Sequence, residues 1–141
     1  MGQRPVSVTL RTRQVLDGEE THLEQQTEGE LIATEGGWQL CYREPSDGGE
    51  TCLTIEEGLA CLERRGKAAT QMCFRPGDLY PAQYQTPYGT LELWVDTQYL
   101  GSSLAEDGGR VMIRYQLYGQ GQTLGRFTLQ VYVRAADISG K

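Results

Sequence analysis

Thr51-Cys52-Leu53-Thr54-Ile55-Glu56-Glu57-Gly58-Leu59-Ala60-Cys61-Leu62-Glu63-Arg64 is the stretch whose reading decides the fold. Leu53 and Ile55 alternate with Cys52 and Thr54, and beyond Gly58 the residues Ala60 and Leu62 alternate with Cys61 and Glu63. A period of two marks extended strands with one buried face and one wet face. Glu57-Gly58 reads as a two-residue hairpin loop, because glycine accepts the positive φ such loops require. That loop pairs Glu56 with Leu59 and, at the far end, Thr51 with Arg64.

The same arithmetic extends to both neighbours. A four-residue loop Ser46–Gly49 pairs Pro45 with Glu50 and Glu44 with Thr51. A three-residue loop Arg65-Gly66-Lys67, with Gly66 in the left-handed bulge position, pairs Arg64 with Ala68. Apolar residues then face apolar ones: Leu40, Ile55, Ala60 and Met72 form one row, and Tyr42, Leu53, Leu62 and Thr70 the next. A slip by one residue would scatter these rows. In this register Cys41, Cys52, Cys61 and Cys73 fall on the outer face and none lies directly across from another, so no disulfide is expected. With no C-x-x-C pair and His22 the only histidine, no zinc site is expected either. The cysteines read as small, half-buried thiols.

Turn signals recur every eight to twelve residues or so over the rest of the chain, including Asp17-Gly18, Arg75-Pro76-Gly77-Asp78, Thr86-Pro87-Tyr88-Gly89, Asp107-Gly108-Gly109 and Gly119-Gln120-Gly121. Between them Val6, Val8 and Leu10, then Leu91, Leu93 and Val95, then Val111, Ile113, Tyr115 and Leu117 alternate with polar residues. No segment sustains a 3.6-residue period, and Gly77 to Pro81 is the one place left for a helical turn. These features predict an all-β chain: a single domain over 1–141, folded as a closed antiparallel up-and-down barrel of about 8–10 strands. The barrel runs from about 5 to 134 and leaves a short flexible C-terminal tail. Closure is favoured because an open sheet this long would expose its edges.

The formal charge of −6 over 141 residues weighs against a binder of nucleic-acid backbones, which needs clustered positive charge. The short basic spots, Arg11 with Arg13 and Arg64 with Arg65 and Lys67, read as solvated strand faces and turns. No stretch approaches the roughly 20 apolar residues that span a bilayer. The N-terminal residues alternate instead of forming an apolar run, so a cytoplasmic location is expected, with no membrane partner.

Glu44, Thr51 and Arg64 fall side by side, pointing inward near one end of the barrel. An inward arginine needs a partner. Either Glu44 satisfies it and the pair plugs the barrel, or Arg64 serves an anionic ligand. Thr12, Tyr84, Thr97, Tyr99 and Tyr115 share the inward parity. Eight tyrosines against two phenylalanines place many hydroxyls that must find partners. They stand either at wet rims or around a partly polar cavity, which barrels of this size can enclose. Outside, Trp94 beside Met112 and Tyr118 would make an apolar patch, the mark of a partner or of a homodimer. His22 sits among Glu19, Glu20 and Glu24 in a solvated turn, and Glu24, Glu28 and Glu30 read as a wet face or a cation site. No catalytic residue, metal ligand or cofactor site is nominated.

Tyr84 through Thr97 (Tyr-Gln-Thr-Pro-Tyr-Gly-Thr-Leu-Glu-Leu-Trp-Val-Asp-Thr) resembles the signature of the YwiB-like family of small bacterial domains of unknown function. Gly29, Tyr42-Arg43-Glu44, Arg64 with Gly66, Phe74 with Gly77, and Gly109-Arg110 leading into Ile113-Arg114-Tyr115 match it in order and spacing, from about Val6 to Val133. The resemblance implies a calycin-like (lipocalin-type) barrel with a possible internal cavity, in a cytoplasmic bacterial protein. It implies no activity, and the four cysteines lie outside the matched positions. Together these readings favour a barrel that binds a small anionic or amphipathic ligand through Glu44, Arg64, Tyr84, Thr97, Tyr99 and Tyr115. The alternative is a packed barrel that acts as a protein-interaction or homodimerisation module.

Overall fold

The computed structural model describes residues 3–66 and 69–136. Ten antiparallel strands follow one another: β1 (Gln3–Leu16), β2 (Glu19–Ala33), β3 (Gly37–Arg43), β4 (Glu50–Glu56), β5 (Leu59–Arg64), β6 (Thr70–Phe74), β7 (Leu79–Thr86), β8 (Gly89–Ser102), β9 (Gly108–Gly119) and β10 (Gln122–Ala135). Each pairs with the next, and β10 pairs back onto β1, so the sheet closes into an up-and-down barrel. Among the described residues there is no helix. The place left for a helical turn holds a β-turn instead, in which Asp78 N donates to Arg75 O at 3.1 Å before the chain extends into β7. A glycine with positive φ at Gly77 and a proline just ahead of it suit a turn, not a helix.

The Glu57-Gly58 hairpin has the predicted register, with Glu56 opposite Leu59 and Thr51 opposite Arg64. Both neighbouring hairpins are displaced by two residues from prediction. Tyr42 pairs with Thr51, where Leu53 was expected, and Ala60 pairs with Phe74, where Met72 was expected. Arg64 faces Thr70; Lys67 and Ala68, which a tighter loop would use, lie outside the described residues. The longer β3–β4 connection holds itself together locally, with Gly48 N donating to Glu44 O at 2.9 Å and Gly49 N to the Asp47 carboxylate at 2.9 Å. A shift of two keeps every side chain on its own face, so the rows stay apolar. It changes who stands opposite whom, and the cysteines show it.

Cys41 lies directly across from Cys52, and Cys61 from Cys73, with Cα–Cα separations of 4.1 and 4.0 Å. Both pairs are disulfide-bonded. The expectation of free thiols is therefore overturned, and the displaced hairpins are the reason. Such short separations belong to the pairs in an antiparallel ladder that do not exchange hydrogen bonds, where side chains approach most closely.

The start of β1 and the end of β10 share one end of the barrel with the turns at 34–36, 57–58, 75–78 and 103–107. The core fills this end: Val6, Val8, Leu31, Leu40, Leu53, Phe74, Val95, Val111, Ile113 and Val131 are all buried. Each contributes about 1.5–3 kcal/mol through removal of apolar surface from water. The wall is uneven. β1, β2, β8, β9 and β10 run for 12 to 15 residues, whereas β3 to β6 run for 5 to 7. The β6–β7 ladder has only the pairs Thr70–Tyr84 and Gln71–Gln83. β3 pairs with β2 only over Gly29–Ala33, which leaves the outer edge of Glu19–Glu28 without a ladder partner among the described residues.

Gly29 permits the close passage of β3 across β2. A Cβ there would stand 2.3 Å from the Cys41 carbonyl oxygen and 2.9 Å from the Tyr42 Cβ. Both are part of, or next to, the backbone and cannot swing away. Gly29→Ala is expected to lower stability by about 1–3 kcal/mol, the usual cost of overpacking, read as a lower midpoint in denaturant unfolding. An unchanged midpoint would refute the close passage.

Candidate functional site

Where the short strands end, the inward face turns polar. One row of directly opposed residues runs around this part of the wall: Gly29, Tyr42, Thr51, Arg64, Thr70, Tyr84 and Leu91, on β2 through β8. Behind it lies a cavity of about 260 Å3. Leu10, Leu62, Met72, Phe74, Leu117, Phe127 and Leu129 give it apolar surfaces, and Thr12, Gln14, Gln25, Tyr42, Glu44, Arg64, Thr70, Tyr84 and Tyr115 supply polar atoms. Tyr115 is wedged between two rings, 4.8 Å from Phe74 and stacked on Phe127 at 5.2 Å.

Glu44 lies just past the end of β3, and its side chain turns back over the row, 7% exposed. Its Oε2 accepts a 2.6 Å hydrogen bond from the Thr51 hydroxyl and lies 3.2 Å from Arg64 Nε. The ion pair is poorly aligned: Nε is buried and makes no hydrogen bond. A carboxylate held this way neutralises Arg64 without occupying its guanidinium in the two-pronged manner of a tight pair. Burial and the nearby Glu44 carboxylate push the Tyr42 hydroxyl well above the ordinary tyrosine range, against the opposing pull of Arg64 and a hydrogen bond with Thr51. Burial, with Tyr84 adding to it and Arg64 opposing, raises Tyr115 to about 12. Both phenols are neutral donors at ordinary pH.

Of the residues expected here, the structure brings together Glu44, Arg64, Tyr84 and Tyr115, with Thr12 and Thr51 beside them. Thr97 is opposite Tyr115 and 2% exposed, but it sits behind the lining, with its hydroxyl unpaired. Tyr99 does not point inward. The β8–β9 register shifts between Thr97 and Tyr99, which reverses parity: Tyr99 is 42% exposed with Arg114 over its ring at 5.2 Å, and Leu100 faces Ile113 instead. No turn residue announces that bulge. Gln14 and Gln25 were missed, although Gln14 shares the parity of Leu10 and Thr12; Tyr42 was read as part of an apolar row.

On the outside, Trp94 stands opposite Tyr118, with Leu79 close by around an apolar groove of about 630 Å3. Met112 is not part of it, because it pairs with Gly101 far along β9. Arg11 and Arg13 meet Glu24 and Glu20 at 2.8 and 2.7 Å, Glu20 also meets His22 at 2.7 Å, and Glu30 accepts from Gln3 at 2.6 Å. His22, expected in a turn, lies on strand β2 with these glutamates, and the group is exposed and ion-paired.

A closed ten-stranded antiparallel barrel with a partly polar cavity at its mouth defines the class. The family model described as a domain of unknown function, DUF1934, matches residues 8–131, and the chain belongs to that family. It is 30% identical over 115 residues to the uncharacterized beta-barrel protein YwiB of Bacillus subtilis (strain 168), covering 79% of this chain and 81% of that one. The crystal structure of the ywiB protein from Bacillus subtilis superposes with a TM-score of 0.85 at 23% identity, over 95% of this chain and 93% of that one. The last likeness shows the shared fold.

Because Tyr115 is held neutral, its contribution has a defined pH window. Stability should be unaffected by it below about pH 10 and fall as pH rises from 10 to about 12, where the unfolded chain ionises first. Ultraviolet titration of the folded protein should show a tyrosine ionising near 12, and Tyr115→Phe should remove that step and flatten the alkaline loss. A variant that titrates like the parent would place Tyr115 in water.

Proposed function

We propose that this protein is a non-enzymatic binding protein whose barrel mouth takes a small amphipathic ligand with an anionic group. The observation that carries the reading is Arg64, buried at Nε without a hydrogen bond and bordering a cavity with apolar walls. The anion would meet the guanidinium and the Tyr84 and Tyr115 hydroxyls, and the apolar part would pack on Met72, Leu117 and Phe127. A volume near 260 Å3 lies just below the usual range of about 300–1,000 Å3 for small-molecule sites, so the ligand has on the order of ten non-hydrogen atoms. His22, on the outer face beside Glu20, is remote from this chemistry, which supports capture over acid–base catalysis. The calycin-like architecture and cytoplasmic setting belong to the same reading. Octanoate and phenylacetate are suitable probes in native mass spectrometry and thermal melting. Binding is expected with a raised Tm, weakened at least tenfold in Arg64→Met; no shift with either probe, or binding indifferent to Arg64, would overturn the proposal.

A second reading rests on the outer groove. Leu79 is 58% exposed and Trp94 49%, side by side with Tyr118 on a face that should be polar. Such a patch suits a homodimer in which each copy covers the other's tryptophan. Light scattering is expected to give twice the chain mass and to return the monomer for Trp94→Ser. A monomeric parent would exclude this reading.

A further inference from the structure

Glu44 and Arg64 are the only charged residues among those lining the cavity at the mouth. Glu44 Oε2 lies 3.2 Å from Arg64 Nε and accepts from the Thr51 hydroxyl at 2.6 Å, so the carboxylate is held in place beside the guanidinium. Nε itself makes no hydrogen bond, and a guanidinium carries further N–H donors on its other nitrogens. The Glu44 side chain is 9% exposed, which leaves little water to screen its charge.

We propose, resting on the binding role of the barrel mouth, that its ligand is a free α-amino acid with an apolar side chain, the carboxylate on Arg64 and the ammonium on Glu44. Charge balance is the ground for this. With one carboxylate and one guanidinium, the empty cavity is neutral overall. A simple acid bound at Arg64 sets a second carboxylate beside Glu44 and leaves the site net negative, and like charges repel strongly where screening is weak. A simple amine on Glu44 leaves the opposite surplus beside Arg64. An α-amino acid carries both charges on one carbon. Each then meets its opposite across a site whose own two charges are neighbours, and the complex stays neutral.

The rest of the lining selects the side chain. Phe74, Tyr115 and Phe127 form a row of rings with centroid spacings of 4.8 and 5.2 Å, a surface for an aromatic or aliphatic group. Thr12, Gln14 and Gln25, on β1 and β2, are uncharged, so an acidic or basic side chain would find no counter-ion there. A cavity of about 260 Å3 suits an amino acid of the size of leucine or phenylalanine.

Isothermal titration calorimetry on the full chain compares three ligands of one skeleton. They are L-phenylalanine, 3-phenylpropanoate, which lacks the ammonium, and 2-phenylethylamine, which lacks the carboxylate. L-phenylalanine is expected to bind at least tenfold more tightly than either of the others. Glu44→Gln leaves Arg64 as the one charge at the site, so there 3-phenylpropanoate should become the tighter ligand. If that variant fails to fold, the ranking in the parent protein decides alone. Binding of 3-phenylpropanoate to the parent within tenfold of phenylalanine, or more tightly, would overturn the amino-acid assignment and leave the capture of an anionic ligand standing. An unreversed order in folded Glu44→Gln would do the same. Tightest binding by the amine would overturn both. Binding by none of the three would overturn the amino-acid assignment, and capture of an anion falls with it only if octanoate and phenylacetate fail as well.

Discussion

The pairing of Thr51 with Arg64, fixed by the tight turn at Glu57-Gly58, is the constraint from which the mouth of the barrel follows. It brings an arginine to the inner face where the short strands stop, and it sets the diagonal between Cys52 and Cys61 outside. Glu44 answers the arginine from the neighbouring connection, and the Thr51 hydroxyl holds that carboxylate in place. A half-buried charge with one imperfect partner is stable only because a second group orients that partner. The inner and outer faces of this part of the wall are thus set by the same short hairpin.

The division between core and cavity comes from side-chain size and strand length. Toward the termini the inward residues are Val, Leu and Ile, which interlock and leave no room. Toward the mouth they become Thr, Gln, Tyr and Arg, groups that cannot be packed dry without partners. The four short strands stop where this change occurs, while the tall strands continue and keep one side of the opening walled.

Most of the architecture was legible because period-two alternation and turn residues are local signals. About 8–10 strands and the inward placement of Glu44, Arg64, Tyr84 and Tyr115 were read this way, and closure was read from the hazard of open edges. Register at the longer loops was not. A connection such as 44–49 closes through its own carboxylate and carbonyl contacts, which loop-length rules do not count. The two-residue displacement left every face intact, so the hydrophobic rows gave no warning while the cysteines moved into opposition. Tyr99 failed for a related reason: a bulge within β8 reverses parity without a glycine to mark it.

The bare stretch of β2 has a consequence for how the molecule behaves in a crowd. Unsatisfied backbone groups along Glu19–Glu28 would template a foreign strand and seed a growing cross-β stack. Glu20 and Glu24, ion-paired with Arg13 and Arg11 of β1, and Glu28 place charged side chains along that stretch. Glu20, hydrogen-bonded to Arg13 and His22, is held down to about 2, so its charge persists in strongly acidic solution. Charged side chains along an unpaired strand edge work against such stacking.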